Sequence, residues 1–223
     1  MFQSWEWLTF LHWRYEAAVI RKLVPEQLTL DTFDGAAWVA LTPFRLTKLR
    51  TPFAPALPWL SQFPETNVRT YVRGPDGKPG VWFFTLECAR LAGVLGARAT
   101  FRLPYRWARM SVNPRDKQVE YRSDRRQPFG QGRTDIAIEP GEAMEAADFD
   151  NFVTARFRLY SVAGKRLGFA DIEHAPWPLQ RGRVVRLEED LIEHSGVPRP
   201  NGEPTIHYSR SIDVRIGRIR WSG

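Results

Sequence analysis

Apolar and polar residues alternate at a strand's period of two along most of this chain. The pattern predicts strands over residues 36–46, 67–73, 80–90, 96–103 and 106–112, and again over 118–123, 133–140, 156–162, 166–174, 181–188 and 211–221. Turn-forming stretches join several of them: GPDGKPG at 74–80, NPRDK at 113–117 and AGK at 163–165. Helical spacing is confined to three short segments. Residues 14–24 space Ala17, Ile20 and Val24 and stop at Pro25; 148–156 opens on a capping Asp148; 187–196 ends on Gly196. The proline-rich run 49–65 reads as a long loop, because each proline removes a backbone donor and fixes φ. Many strands in hairpin order with few helices predict one α+β domain over residues 1–223. Its sheet is mostly antiparallel and closes, or nearly closes, into a barrel.

Three strands carry the candidate chemistry. In NVRTYVR (67–73), Val68, Thr70 and Val72 form one face; Asn67, Arg69, Tyr71 and Arg73 form the other. A polar strand face is either solvated or the wall of a ligand cavity. VWFFTLEC (81–88) is apolar on both faces, so it reads as a covered central strand, with Glu87 on the face of Val81, Phe83 and Thr85. A carboxylate there needs a partner, and Arg69 or Arg106 is the expected one. In RLPYRWARMSV (102–112), Arg106 shares its face with Ala108, Met110 and Val112. A guanidinium on an apolar face needs an anion beside it, supplied by Glu87 or by a ligand.

Longer stretches carry a resemblance. KLVPEQLTLDTFDGAAWVALTPF (22–44), FPETNVRTYV (63–72), GKPGVWFFTLEC (77–88), LPYRWARMSV (103–112), HAPWPL (174–179) and HYSRSIDV (207–214) closely resemble the YqjF-like family of unknown function, domain of unknown function 2071. That family is similar to the acetoacetate decarboxylase superfamily. The resemblance implies a cone-like, mostly antiparallel β-barrel with a few helices and an interior pocket. It also marks a departure. The decarboxylase strand carries a Phe-Pro-Lys-Lys run whose first lysine forms a Schiff base, and the matching run here is Leu103, Pro104, Tyr105, Arg106. A phenol has no amine, and arginine stays protonated. The five lysines, Lys22, Lys48, Lys78, Lys117 and Lys165, lie in turns or beside arginines and lack the closed surroundings that activate an amine.

Composition narrows the reading further. The net charge is +7, with fourteen Lys+Arg against eight Asp+Glu through residue 111 and eighteen against seventeen after it. An Arg-rich solvated surface accounts for this; a nucleic-acid partner is the alternative, though no nucleic-acid-binding motif supports it. The single Cys88 excludes an internal disulfide and suits a cytoplasmic location. No apolar run is long enough for a membrane helix. The four histidines, His12, His174, His207 and His194, show no metal spacing, and no glycine loop or nucleophile elbow is present. No metal and no cofactor is expected. The expected function is binding of a small organic acid or carbonyl compound inside the barrel, at Arg69, Tyr71, Glu87, Tyr105, Arg106 and His12, without Schiff-base decarboxylation. The alternative on the same pocket is a lyase or isomerase, with Tyr105 or His12 as acid or base and Arg69 or Arg106 holding charge. A homo-oligomer stays open.

Overall fold

A computed structural model of the chain describes residues 1–51 and 61–222. Along them run β1 (Phe2–Glu16), α1 (Ala17–Arg21), β2 (Thr29–Leu30), β3 (Ala36–Arg50), β4 (Phe63–Arg73), β5 (Pro79–Cys88), α2 (Leu91–Phe101), β6 (Tyr105–Pro114), β7 (Val119–Arg125), β8 (Arg133–Ala143), α3 (Asp148–Thr154), β9 (Arg158–Ala163), β10 (Arg166–His174), β11 (Gln180–Glu189), α4 (Leu191–His194), β12 (Thr205–Ile216) and β13 (Arg220–Trp221). The sheet closes in the order β1-β3-β4-β5-β6-β7-β8-β11-β12 and back to β1, a nine-strand barrel. Most pairs are antiparallel, but β5 runs parallel to both β6 and β9, so the barrel is mixed.

The sheet forks twice. Strand β5 pairs with β9 as well as β4 and β6, and β12 pairs with β10 as well as β1 and β11. The β9–β10 hairpin therefore bridges the wall made by β1, β3 and β4 and closes a second, smaller circuit against it. This covers the wall on both faces, which is why β3 and β4 are buried along nearly their whole length. One face packs into the nine-strand barrel, where Leu11, Val39, Leu41, Val68 and Val72 meet Tyr121, Ile136 and Ile138. Each such side chain contributes about 1.5–3 kcal/mol by leaving water. The other face looks into the second circuit.

Two left-handed residues adjust which side chains look where. Trp7 has φ +47° and Lys48 has φ +56°. Each shifts its strand's alternation by one residue. As a result Trp5 and Leu8, three apart, share a face, as do Leu46 and Leu49.

The expected elements differ from the observed ones in several places. The strand expected over 211–221 is two strands, β12 from Thr205 to Ile216 and the separate β13, and β1 is an unexpected strand. Residues 14–16 end β1, and only Ala17–Arg21 form the helix. Residues 96–103, expected as a strand, fall mostly in α2. That helix has no apolar stripe to announce it: Leu91 and Leu95 are exposed, Gly93 and Gly96 lie on its inner side, and Arg90 gives no side-chain cap. Arg102, at φ +56°, ends it, and Pro104 bars continuation. The third expected helix shrinks to four residues, because β11 runs on to Glu189. Of the proline-rich run, Leu49 and Arg50 end β3 and Phe63–Glu65 begin β4, while 52–60 lie outside the described residues.

Candidate ligand site

The second circuit lines a partly open cavity of about 320 Å³. Its walls are the outer face of β1, β3, β4 and β5, the β9–β10 hairpin, the glycine-bearing side of α2, Thr154 at the end of α3 and Arg156 just after it. Most of the lining is apolar, with Leu8, Phe44, Phe83, Leu86 and Trp177 among it. Among the described residues, one strand contributes three of the polar groups. Regular alternation along β4 sends Glu65, Asn67 and Arg69 into the cavity and Val68 and Val72 into the barrel core.

Arg69 is only 7% exposed. Its guanidinium lies 5.1 Å from the Phe10 ring centroid and 5.9 Å from that of Tyr71. It makes no ion pair among the described residues, and its buried Nε has no hydrogen-bond partner there. Residues 52–60 carry no Asp or Glu in sequence. A buried guanidinium without a counter-ion is costly, so its presence in a cavity is informative. Asn67 Oδ1, Thr42 Oγ1 on the neighbouring strand, and Trp5 Nε1 are likewise buried without a partner among the described residues.

Glu65 is the acidic group on the wall among the described residues, and Arg156, also on it, is paired with Asp31. The Tyr105 hydroxyl donates to Glu65 Oε2 at 3.0 Å. Burial pushes the Glu65 carboxyl up to about 8, against the opposing pull of that hydrogen bond. Burial, and then the neighbouring Glu65 charge, hold the Tyr105 phenol well above its ordinary value. At neutral pH the pair is thus a neutral acid beside a neutral phenol.

The six expected site residues separate into three groups. Arg69 and Tyr105 line the cavity. Tyr71 and His12 lie beyond Arg69 and do not line it; Tyr71 Oη and His12 Nε2 are 2.7 Å apart. Burial first, then His207 and Arg69, drive the His12 pKa well below 6.5. His207, with its ring centroid 5.4 Å from that of His12, pairs with Asp150 at 2.7 Å. Glu87 and Arg106 stand away from the cavity. Strand β5 skips Phe84 against β4, so Val68 faces Thr85 and Arg69 faces Phe83. That slip turns Leu86 and Cys88 toward the cavity and leaves Thr85 and Glu87 on the opposite face, not on the face of Val81 and Phe83. Glu87 is held by Arg125, neither by Arg69 nor by Arg106. Arg106 is partly exposed; burial, then Arg125 and Arg98, lower its pKa. Its position opposite Glu87 in the parallel β5–β6 pair brings the backbones together without pairing the side chains.

The proline pattern hides Glu65 by extending the expected loop to residue 65, and Arg125 lies beyond the strand that the alternation predicts over 118–123. Asn67 was legible as part of the polar face. All five lysines are exposed, and none lines the cavity.

The fork and the closed mixed barrel define an acetoacetate decarboxylase-like fold. The structure superposes on the enduracididine biosynthesis enzyme MppR at TM-score 0.70, 12% identical, covering 99% of this chain and 86% of that one. MppR complexed with pyruvate gives TM-score 0.68 at 12% identity, over 99% and 89%. An acetoacetate decarboxylase-like enzyme from Sphingomonas wittichii RW1 gives TM-score 0.69 at 13% identity, over 100% and 92%. The chain belongs to the DUF2071 family of uncharacterized conserved proteins, whose model matches residues 2–213. It is 36% identical to the uncharacterized protein YqjF of Bacillus subtilis (strain 168), over 100% of this chain and 93% of that one.

Proposed function

We propose that the protein binds a small organic acid or carbonyl compound in this cavity, with a carboxylate at Arg69, and performs no Schiff-base chemistry. The observation that carries this is Arg69 itself: a buried guanidinium in a mostly apolar cavity, with no protein anion beside it among the described residues. A ligand carboxylate supplies the missing charge and accepts the fork of N–H donors. The pyruvate complex of the similarly folded MppR supports the same chemical class. Amine catalysis lacks its amine: no lysine lines the cavity among the described residues, and Tyr105, which the resemblance matches to the decarboxylase lysine, does. Calorimetric titration with pyruvate and short alkanoates tests this: Arg69-dependent binding supports it, and equal binding to Arg69→Met protein overturns it.

A second reading rests on Glu65 and Tyr105. A carboxylic acid that stays protonated to about pH 8 and faces a cavity can donate a proton to a ligand carbonyl, as a lyase or isomerase requires. Turnover of a bound keto acid that Glu65→Gln abolishes, with binding retained, supports this reading.

A further inference from the structure

Three polar groups of the cavity lie along one strand. Glu65, Asn67 and Arg69 occupy alternate positions of one strand, and β4 keeps unbroken register with β3 from Phe63 to Thr70. At a strand's rise, the backbones of Glu65 and Arg69 stand about 13 Å apart, with Asn67 midway. The side chains do not close that gap. The Arg69 guanidinium lies 5.1 Å from the Phe10 ring and 5.9 Å from the Tyr71 ring, and no ion pair joins it to Glu65 among the described residues. Glu65 instead bonds to Tyr105, and its pKa shift comes from burial and that bond alone. The cavity follows the same axis, lined on β4 from Phe63 to Arg69 and on β5 from Val81 to Cys88. A ligand lying along those strands would use the volume of about 320 Å³ as a slot.

We infer that this slot takes an elongated mono-acid, whose carboxylate sits at Arg69 and whose far end presents an uncharged hydrogen-bond acceptor to Glu65. This rests on the acid-binding reading above. Glu65 Oε2 is engaged by Tyr105, and Oε1 has no partner among the described residues. A carboxyl neutral to about pH 8 donates to a carbonyl, ester or hydroxyl oxygen and repels a second carboxylate only once it ionises. Asn67, Thr42 and Trp5 offer further unsatisfied polar atoms on the walls. The remaining lining, including Leu8, Phe44 and Leu86, suits a methylene chain. A compact acid such as pyruvate reaches Arg69 and leaves Glu65 unpaired.

Isothermal titration at pH 7 with monomethyl suberate and monomethyl succinate tests the inference. These differ only in the chain between carboxylate and ester. The long ester is expected to bind at least about tenfold tighter, from its extra buried methylenes and its bond to Glu65. Glu65→Leu should reduce that ratio several-fold, while Glu65→Gln, which keeps a donor, should preserve most of it. Arg69→Met should weaken both esters. If the two esters bind equally, or the short one more tightly, and both depend on Arg69, the elongated ligand is wrong and acid binding stands. If the long ester is preferred equally by wild type and Glu65→Leu, the far-end contact is wrong. If neither ester binds in an Arg69-dependent way, the acid-binding reading falls as well.

Discussion

Arg125 grips Glu87 with two parallel hydrogen bonds, Nε to Oε2 at 3.1 Å and Nη2 to Oε1 at 2.7 Å, and both side chains are almost fully buried. Thr85 adds a third bond, donating to Oε1 at 2.8 Å. The pair lies on the barrel side of β5, away from the cavity, so it belongs to the scaffold. Breaking it leaves one buried charge without a partner. Arg125→Met is expected to destabilise the fold by about 3–5 kcal/mol. The double variant Arg125→Met with Glu87→Leu should recover a large part of that loss. Urea unfolding of the three proteins checks both expectations.

Arg69 should behave in the opposite way. Its charge is buried without an anion among the described residues, so removing it relieves a cost of folding. Arg69→Met is expected to raise stability by about 1 kcal/mol or more while losing affinity for carboxylates. A lower unfolding midpoint in urea would show that the guanidinium is structural. The same change should raise the pKa of His12, which Arg69 helps to hold down. Imidazole chemical shifts followed across pH report that directly.

Glu65 links stability to pH. Its folded pKa of about 8 lies above its ordinary value of 4.5, so between these the folded chain holds a proton that the unfolded chain has released. Stability from this group therefore falls as pH rises from 4.5 and levels off above 8. The lowered His12, His174 and His207 act in the other direction, costing stability as pH drops below 6.5. Between pH 6.5 and 8 the Glu65 effect stands clear of them. Unfolding midpoints in that window should decline more steeply for wild type than for Glu65→Gln, and parallel profiles would contradict the assignment.

The hydrogen bond between His12 and Tyr71 is sealed from water. Tyr71→Phe leaves His12 Nε2 buried without that partner, which costs about 1–3 kcal/mol. The loss should appear in thermal unfolding, with the far-ultraviolet spectrum unchanged.

Gly96 offers the reverse experiment. It lies within α2, and a Cβ built there meets nothing within 4 Å. Gly96→Ala should stabilise the helix by about 0.5–1 kcal/mol. The new methyl also borders the cavity, so a shift in ligand affinity should accompany the gain in melting temperature.

The strands and the polar face of β4 were legible because period-two patterning survives wherever both sides of a strand meet different surroundings. Strand β10 lies where the pattern put it, at 166–174. What stayed hidden depended on long-range geometry. The single skipped residue in β5 moved Glu87 to the other face, and no local pattern announces such a slip. Arg125 lies 38 residues from the carboxylate it holds. Helix α2 has small residues toward the cavity and leucines toward the outside, so it carries no amphipathic signal. Tyr105 was legible through its place in a family pattern, whereas its partner Glu65 becomes visible only once β4 is extended back to Phe63.

The wall of β1, β3 and β4 faces the barrel on one side and the cavity on the other, and along β4 the two tasks fall to alternate letters of the sequence. Odd positions 65, 67 and 69 can change with the ligand while even positions 68 and 72 keep the core. A lineage could redraw the pocket one side chain at a time without renegotiating the barrel. The same scaffold can thus house unrelated chemistries at little structural risk.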